Sequence, residues 1–282
     1  MKQFAFLVFT LFILSTCKTY GQSTPYPFEV EISGTGTQAL IFIPGFACSG
    51  QVWKETIALF DDVYTCHSLT MAGFAGVPPQ HDPTFDKWKT GLADYVRQES
   101  LGQAILIGHS MGGVLAMALA ADHPDLIAKI VVIDALPCLS ALQNASFVAN
   151  PEVNCEPLVS QFTSIPDEQF YQMQQQMIKY MVADTSRHQQ IVQWSITSDR
   201  NTFAKMYCDF ANTDLREKIS SIQCPSLILL EARFATIQPA IQAQYKLLKT
   251  ADLHYADKGL HFIMYDDIKW YTKQLTEFIK QN

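Results

Sequence analysis

Charge is scarce in this chain. Only 17% of its 282 residues are Asp, Glu, Lys or Arg, and 27 acidic residues outweigh 20 basic ones for a net charge of -7. It has no basic run, no internal repeat and no low-complexity tract. Those absences argue against nucleic acid or an anionic membrane as the main partner. The apolar run Phe4 to Leu14 is too short for a comfortable bilayer span. The cysteines match no metal-binding spacing, and no metal or organic cofactor is implied.

What is present is apolar. Hydrophobic residues make up 48% of the chain, enough for a sizeable core in one large α/β domain or two small ones. Lys2, the run Phe4 to Leu14, and the small and polar residues up to Gly21 have the order of a secretory signal, cut near Gly21. That order predicts an exported protein, periplasmic or secreted. Leu14-Ser15-Thr16-Cys17 also loosely resembles a bacterial lipobox, so lipid anchoring at Cys17 is the alternative. Without the leader, six cysteines remain: Cys48, Cys66, Cys138, Cys155, Cys208 and Cys224. An even number suits an oxidising compartment. Cys138 and Cys155 bracket a loop-like stretch and are the first expected pair; the alternative is six small buried hydrophobes.

Strand and helix signals alternate along most of the chain. Glu29 to Ser33 suits an edge strand. Ala39 to Ile43, Ala104 to Ile107, Lys129 to Ile133 and Pro225 to Glu231 are apolar runs, as expected of strands covered on both faces. Val63 to Leu69 and Leu253 to Ala256 read as further strands. Helices are predicted from Val52-Trp53 to Phe60, over Phe85 to Glu99, from Gly113 to Ala121, over Pro239 to Leu248 and over Asp266 to Lys280. The rhythm breaks between Pro137 and about Asp214, where helical stretches are rich in Gln, Met and aromatics. The fold class is therefore α/β, a mostly parallel doubly wound sheet with a helical cap inserted over the carboxyl ends of the strands. The expected division is a signal peptide (1–21), a first core segment (22–136), the cap (137–214) and a second core segment (215–282).

The stretch Gln103 to Asp122 carries the chemistry. An apolar strand runs into Gly108-His109-Ser110-Met111-Gly112, and a helix of small residues follows. This is a G-x-S-x-G turn in the strand–turn–helix context of a nucleophile elbow. Side chains at the glycines would collide with the neighbouring strand and helix. The turn lifts the Ser110 oxygen beside a helix N-terminus, whose free N–H groups suit a developing oxyanion. The plainer alternative is a serine that merely caps the helix.

With Pro44-Gly45-Phe46 ahead of Ser49 and Trp53, and His261-Phe262 before the last helix, the elbow completes a pattern that resembles the α/β-hydrolase superfamily, in its capped, serine-nucleophile branch. The resemblance runs from about Phe28 to the end. It implies Ser110 as nucleophile, His261 as general base, and the backbone N–H groups of Phe46 and Met111 as the oxyanion hole. Pro44 stands where the family often has a histidine, which should leave the backbone donors intact. A serine needs an adjacent base, and an imidazole can take and return its proton near neutral pH. Among seven histidines, only His261 sits in a loop after the last short strand.

The third member of a triad is less plain. The family usually has an aspartate in the loop after the strand corresponding to Pro225 to Glu231; here that loop reads Glu231-Ala232-Arg233-Phe234-Ala235-Thr236-Ile237. Some members carry the acid one strand earlier, where this chain has Asp134, at the end of Lys129 to Ile133. Asp134 is the expected acid; Glu231, Asp209 and Asp214 are the alternatives, and a turn-capping role is the structural reading of Asp134.

A serine at the elbow disfavours the haloalkane and epoxide branches, which need a carboxylate there. The resulting expectation is a secreted serine hydrolase of carboxylic esters or lactones with small apolar acyl groups, acting on small molecules. Peptide hydrolysis, acyl transfer, carbon–carbon hydrolysis and perhydrolysis use the same groups. A ligand-binding protein with a decayed site is the alternative of a different class.

Overall fold

Alternate side chains of the central strands divide between two apolar layers, one on each face of a seven-stranded sheet. The computed structural model describes residues 26–281; the expected signal segment and Cys17 lie outside the described residues. The strands are β1 (Phe28–Ser33), β2 (Ala39–Ile43), β3 (Thr65–Met71), β4 (Ala104–His109), β5 (Ile127–Ile133), β6 (Ser226–Leu230) and β7 (Ala251–Tyr255). Their order is β1-β3-β2-β4-β5-β6-β7. Only β1 is antiparallel, paired with β3 at the sheet's edge. Ile41, Ile43, Leu106, Val132 and Ile228 face one layer. Leu40, Phe42, Ile107, Val131 and Leu229 face the other. This two-sided burial is why these strands read as continuous apolar runs, and why half-exposed β1 alternates.

Helices cover both faces. α1 (Lys54–Ile57) is one turn, entered through a 3₁₀ turn at Gly50–Trp53. α2 (Phe85–Gln98) is capped by Thr84, whose hydroxyl accepts from the Lys87 N–H at 3.1 Å, and it buries Trp88, Leu92, Tyr95 and Val96. Burying each such large side chain contributes about 1.5–3 kcal/mol. α3 (Met111–Asp122) is buried from Met111 to Ala121. Its small residues let it lie against β4, β5 and α2. The helix starts two residues earlier than the sequence signals predict. β3 is also displaced toward its C-terminus, because Val63 and Tyr64 close the preceding turn by donating to Phe60.

Between β5 and β6 lie α4 (Glu156–Ser164), α5 (Asp167–Ile178), α6 (His188–Ile196) and α7 (Arg200–Ala211). α4 packs on α7, and α5 on α6. α8 (Gln238–Tyr245) follows β6. The predicted last helix is α10 (Ile268–Lys280), which starts two residues later than expected, and a single separate turn, α9 (Ile263–Asp266), precedes it.

The expected Cys138–Cys155 pairing is corrected by the structure. Cys155 is bonded to Cys208. The packing of α4 on α7 brings the residue before α4 to within 5.7 Å, Cα to Cα, of the last turn of α7, across 53 positions of sequence. Cys138 stays at the sheet's carboxyl edge, buried, with its N–H donating to Gln244. Sequence proximity is a poor guide here because the intervening loop is held against the end of α7, with the Ser140 hydroxyl donating to the Ala211 carbonyl and the Asn150 N–H to the Asn212 side chain, and so delivers Cys155 to that helix. Cys48, Cys66, Cys138 and Cys224 are free and buried. Replacing Cys155 and Cys208 together by serine is expected to lower the unfolding free energy by about 2–4 kcal/mol. A peptide map without reduction should join these two cysteines and find the four others as thiols; a Cys138–Cys155 peptide would reverse the correction.

Candidate active site

The carboxyl ends of neighbouring strands supply the site. Ser110 directly follows β4, Asp134 follows β5 and Glu231 follows β6, and the loop after β7 brings in His261. Backbone bonds continue the ladder past each strand end: the Ser110 N–H donates to the Ile133 carbonyl (2.8 Å) and the Asp134 N–H to the Leu229 carbonyl (2.7 Å).

Ser110 has φ 53° and ψ -123°, a strained conformation for a residue with a side chain. Its side chain makes no capping bond to α3, so the plainer reading of the serine as a helix cap does not hold. The turn depends on two close approaches. A Cβ at Gly108 would lie 2.3 Å from the Gly112 carbonyl oxygen, and one at Gly112 would lie 2.3 Å from the Ile43 carbonyl oxygen. The elbow glycines are therefore required by backbone contacts with α3 and with the end of β2.

Asp134 lies at φ 47°, is 3% exposed, and has both oxygens engaged. Oδ1 accepts from the Glu231 N–H at 2.7 Å. Oδ2 accepts from His261 Nδ1 at 2.6 Å. That bond fixes the proton on Nδ1 and leaves Nε2 as the basic nitrogen. The alternative acids are committed elsewhere. Asp209 accepts from the Phe85 N–H at the start of α2, and Asp214 pairs with Arg216. Glu231, 4% exposed, is held by Arg233 through Nε at 2.8 Å and Nη2 at 2.6 Å. Burial pushes the Glu231 carboxyl up from its usual range, against the pull of Arg233.

Phe46 is fixed by edge-on contacts with Phe74, Phe203 and Tyr207, which tie its loop to α7. Among the described residues, the backbone N–H groups of Phe46 and Met111 make no hydrogen bond outside the regular elements.

Three further residues did not stand out in the sequence. His109 is buried behind His261, with ring centres 4.6 Å apart, and its Nε2–H donates to the His261 carbonyl at 2.9 Å. Burial, and then the neighbouring His261, push its pKa well down, so it stays neutral. Asp266 accepts from the Ala183 and Asp184 N–H groups beyond α5 and from the Leu260 N–H, fastening the histidine loop to the cap. Cys48 lines the cavity, and burial pushes its thiol up to about 12. Only their three-dimensional neighbours distinguish these residues; the spacing of Asp266 from His261 carries no recognisable motif.

Ser110, Asp134, Glu231, Arg233 and His261 open onto one cavity of about 610 Å³. Its other walls are mostly apolar, contributed by the cap (Phe162, Met173, Met177, Phe203, Tyr207) and by Phe234. Among the described residues no group of three or more His, Cys, Asp or Glu side chains gathers as a metal site would require, and no helix is long and apolar enough to cross a membrane.

The model of the alpha/beta hydrolase fold family matches residues 38–266, most of the chain. The protein belongs to the α/β-hydrolase family. This hydrolase is similar to the pimeloyl-[acyl-carrier protein] methyl ester esterase of Vibrio cholerae, with 24% identity over 253 residues, 88% of this chain and 96% of that protein. In structure it resembles the enol-lactonase from Burkholderia xenovorans LB400 (TM-score 0.74, 16% identity, 90% of this chain and 96% of that one). It also resembles a thermophilic esterase from Thermogutta terrifontis (TM-score 0.73, 18% identity, 92% and 95%). At such identities the structural likenesses establish the hydrolase fold and leave the choice of substrate to the site itself.

Proposed function

We propose that this α/β-hydrolase cleaves carboxylic esters through an acyl-enzyme on Ser110. The observation that carries the reading is the 2.6 Å bond from His261 Nδ1 to buried Asp134, in the same cavity as a serine on a strained elbow. Ser110 Oγ adds to the ester carbonyl as its proton passes to His261 Nε2. The carbonyl oxygen becomes an oxyanion, held by the Phe46 and Met111 N–H groups. The tetrahedral adduct collapses, and the leaving alkoxide takes the proton from His261. Water then repeats the sequence, releasing the acid and restoring Ser110. Every proton is accounted for by protein, substrate and water, and no cofactor enters.

The apolar cap wall supports an ester with an apolar acyl or aryl group, a lactone being the cyclic case. The names of the esterase and lactonase relatives agree with this class. The cap disulfide supports an exported protein, since such bonds persist in oxidising compartments. On this reading the N-terminal apolar stretch is the export signal and residues 137–214 act as a substrate-enclosing cap.

Stopped-flow hydrolysis of p-nitrophenyl acetate, butyrate and octanoate by the mature protein tests the activity. The expected result is a burst of about one p-nitrophenol per protein molecule wherever deacylation is the slower step, and turnover that rises from acetate to the longer acyl chains. Folded protein with neither burst nor turnover on any of the three would refute the ester reading.

A further inference from the structure

We propose that His109, the residue before the nucleophile, is a positioning residue that ties the backbone of His261 to the strand carrying Ser110. The proposal rests on the reading of His261 as the general base. It adds to that reading a side chain that touches neither substrate nor the reacting atoms.

His109 is the last residue of β4 and directly precedes Ser110. Its ring lies against two residues of the histidine loop, with ring centres 4.6 Å from His261 and 4.6 Å from Phe262. A carbonyl oxygen can only accept. The 2.9 Å contact between His109 Nε2 and the His261 carbonyl therefore places the ring proton on Nε2. The other nitrogen, Nδ1, is buried and has no hydrogen-bond partner among the described residues. It faces the loop of Phe46: a Cβ on Gly45 would lie 2.7 Å from it. One side chain thus meets three segments of the site, namely its own elbow, the loop Pro44-Gly45-Phe46 and the loop of His261.

Packing alone does not account for an imidazole at this position. His109 is 1% exposed, and a ring with one unpartnered nitrogen is a poor filler for an apolar interior. A leucine or methionine would occupy the space with no polar atom left unpaired. What the imidazole supplies, and they do not, is one donor aimed at the His261 carbonyl.

Three bonds hold the backbone around His261. The Leu260 N–H donates to Asp266 at 2.8 Å, the Phe262 N–H donates to the Met181 carbonyl at 3.2 Å, and the His261 carbonyl accepts from His109. The first fastens the loop to α9 and the second to the segment after α5. Of the three, the His109 bond is the one that reaches β4 and so fixes the loop relative to Ser110. On that fixed backbone, the bond from Nδ1 to Asp134 sets how the His261 ring is turned. Without the His109 bond the His261 peptide can rotate, and Nε2 moves relative to the serine oxygen. A misplacement of about 1 Å between reacting groups costs about 10²-fold in rate. His109 does not line the cavity, so its loss should leave substrate binding largely unchanged.

The test compares H109M with H109Q in the whole protein. The two side chains have nearly the same length and shape, and only glutamine can donate, from an amide nitrogen at about the reach of Nε2. The readouts are the second-order rate of Ser110 labelling by a fluorophosphonate probe, and kcat and KM on p-nitrophenyl butyrate. H109M is expected to slow both labelling and kcat by about 10- to 100-fold, with KM within about twofold of the wild-type value. H109Q should recover most of the loss in labelling and in kcat. An unchanged labelling rate in H109M overturns the proposal. So do equal losses in H109M and H109Q, which would make the role one of packing, and a loss confined to KM. If H109M does not fold, H109N carries the test, because its shorter amide falls short of the His261 carbonyl; wild-type labelling in H109N again overturns the proposal. Labelling requires an activated serine but no ester. A protein that labels and hydrolyses no p-nitrophenyl ester would refute the ester reading while the comparison of variants still decides the role of His109.

Discussion

Asp134→Asn is expected to lower kcat by roughly 10⁴-fold while leaving the protein folded. The reason lies in the two bonds that Asp134 accepts. Its Oδ1 takes the Glu231 backbone N–H and its Oδ2 takes His261 Nδ1–H. An asparagine has one acceptor oxygen for these two donors. The backbone N–H of Glu231 is fixed at the end of β6, so the asparagine oxygen turns toward it. The amide NH₂ then faces His261 and requires Nδ1 to be the acceptor. The proton moves to Nε2, and the imidazole can no longer take one from Ser110. Stability should change little, because the strand-end bond survives. Measuring kcat on a p-nitrophenyl ester alongside thermal unfolding checks both halves. Full activity in D134N would remove Asp134 from the triad.

Ser110→Ala should have the larger effect, a loss of kcat on the order of 10⁵-fold or more, with no burst and no labelling by a fluorophosphonate probe. The fold should tolerate the change. The Ser110 hydroxyl makes no capping bond to α3, so its removal breaks no structural hydrogen bond there. Alanine already occupies positive φ elsewhere in this chain, at Ala47 and Ala75. Matched unfolding temperatures with the burst abolished would tie the chemistry to this oxygen. Persistent turnover in S110A would assign it to another nucleophile.

His261 and its acid differ in how they could be found. His261 was identifiable because its loop follows the last strand and precedes the last helix. Asp134 remained one of four candidates because an acid at a strand end resembles any turn aspartate. What separates it from Glu231 is direction. At adjacent strand ends, one carboxylate points to the imidazole and the other to a guanidinium two residues on. Asp209 and Asp214 are engaged instead by the Phe85 N–H, far along the chain, and by Arg216, two residues on.

The sequence by itself determined the sheet, its two covered faces and the elbow. Those features are local or periodic: apolar runs bounded by turns, glycines where backbones touch, and a small-residue helix behind the serine. Tertiary structure decided the rest. The disulfide joins Cys155 to Cys208 because α4 packs on α7, a contact across 53 positions with no local signal. The roles of His109, Asp266 and Arg233 likewise arise from strand ends and loops meeting at one edge of the sheet. Periodicity reports which face of an element is buried. It carries no information about which distant side chain that face will meet, and in this protein those meetings bring Asp134 to His261 and fasten the histidine loop to the helices between β5 and β6.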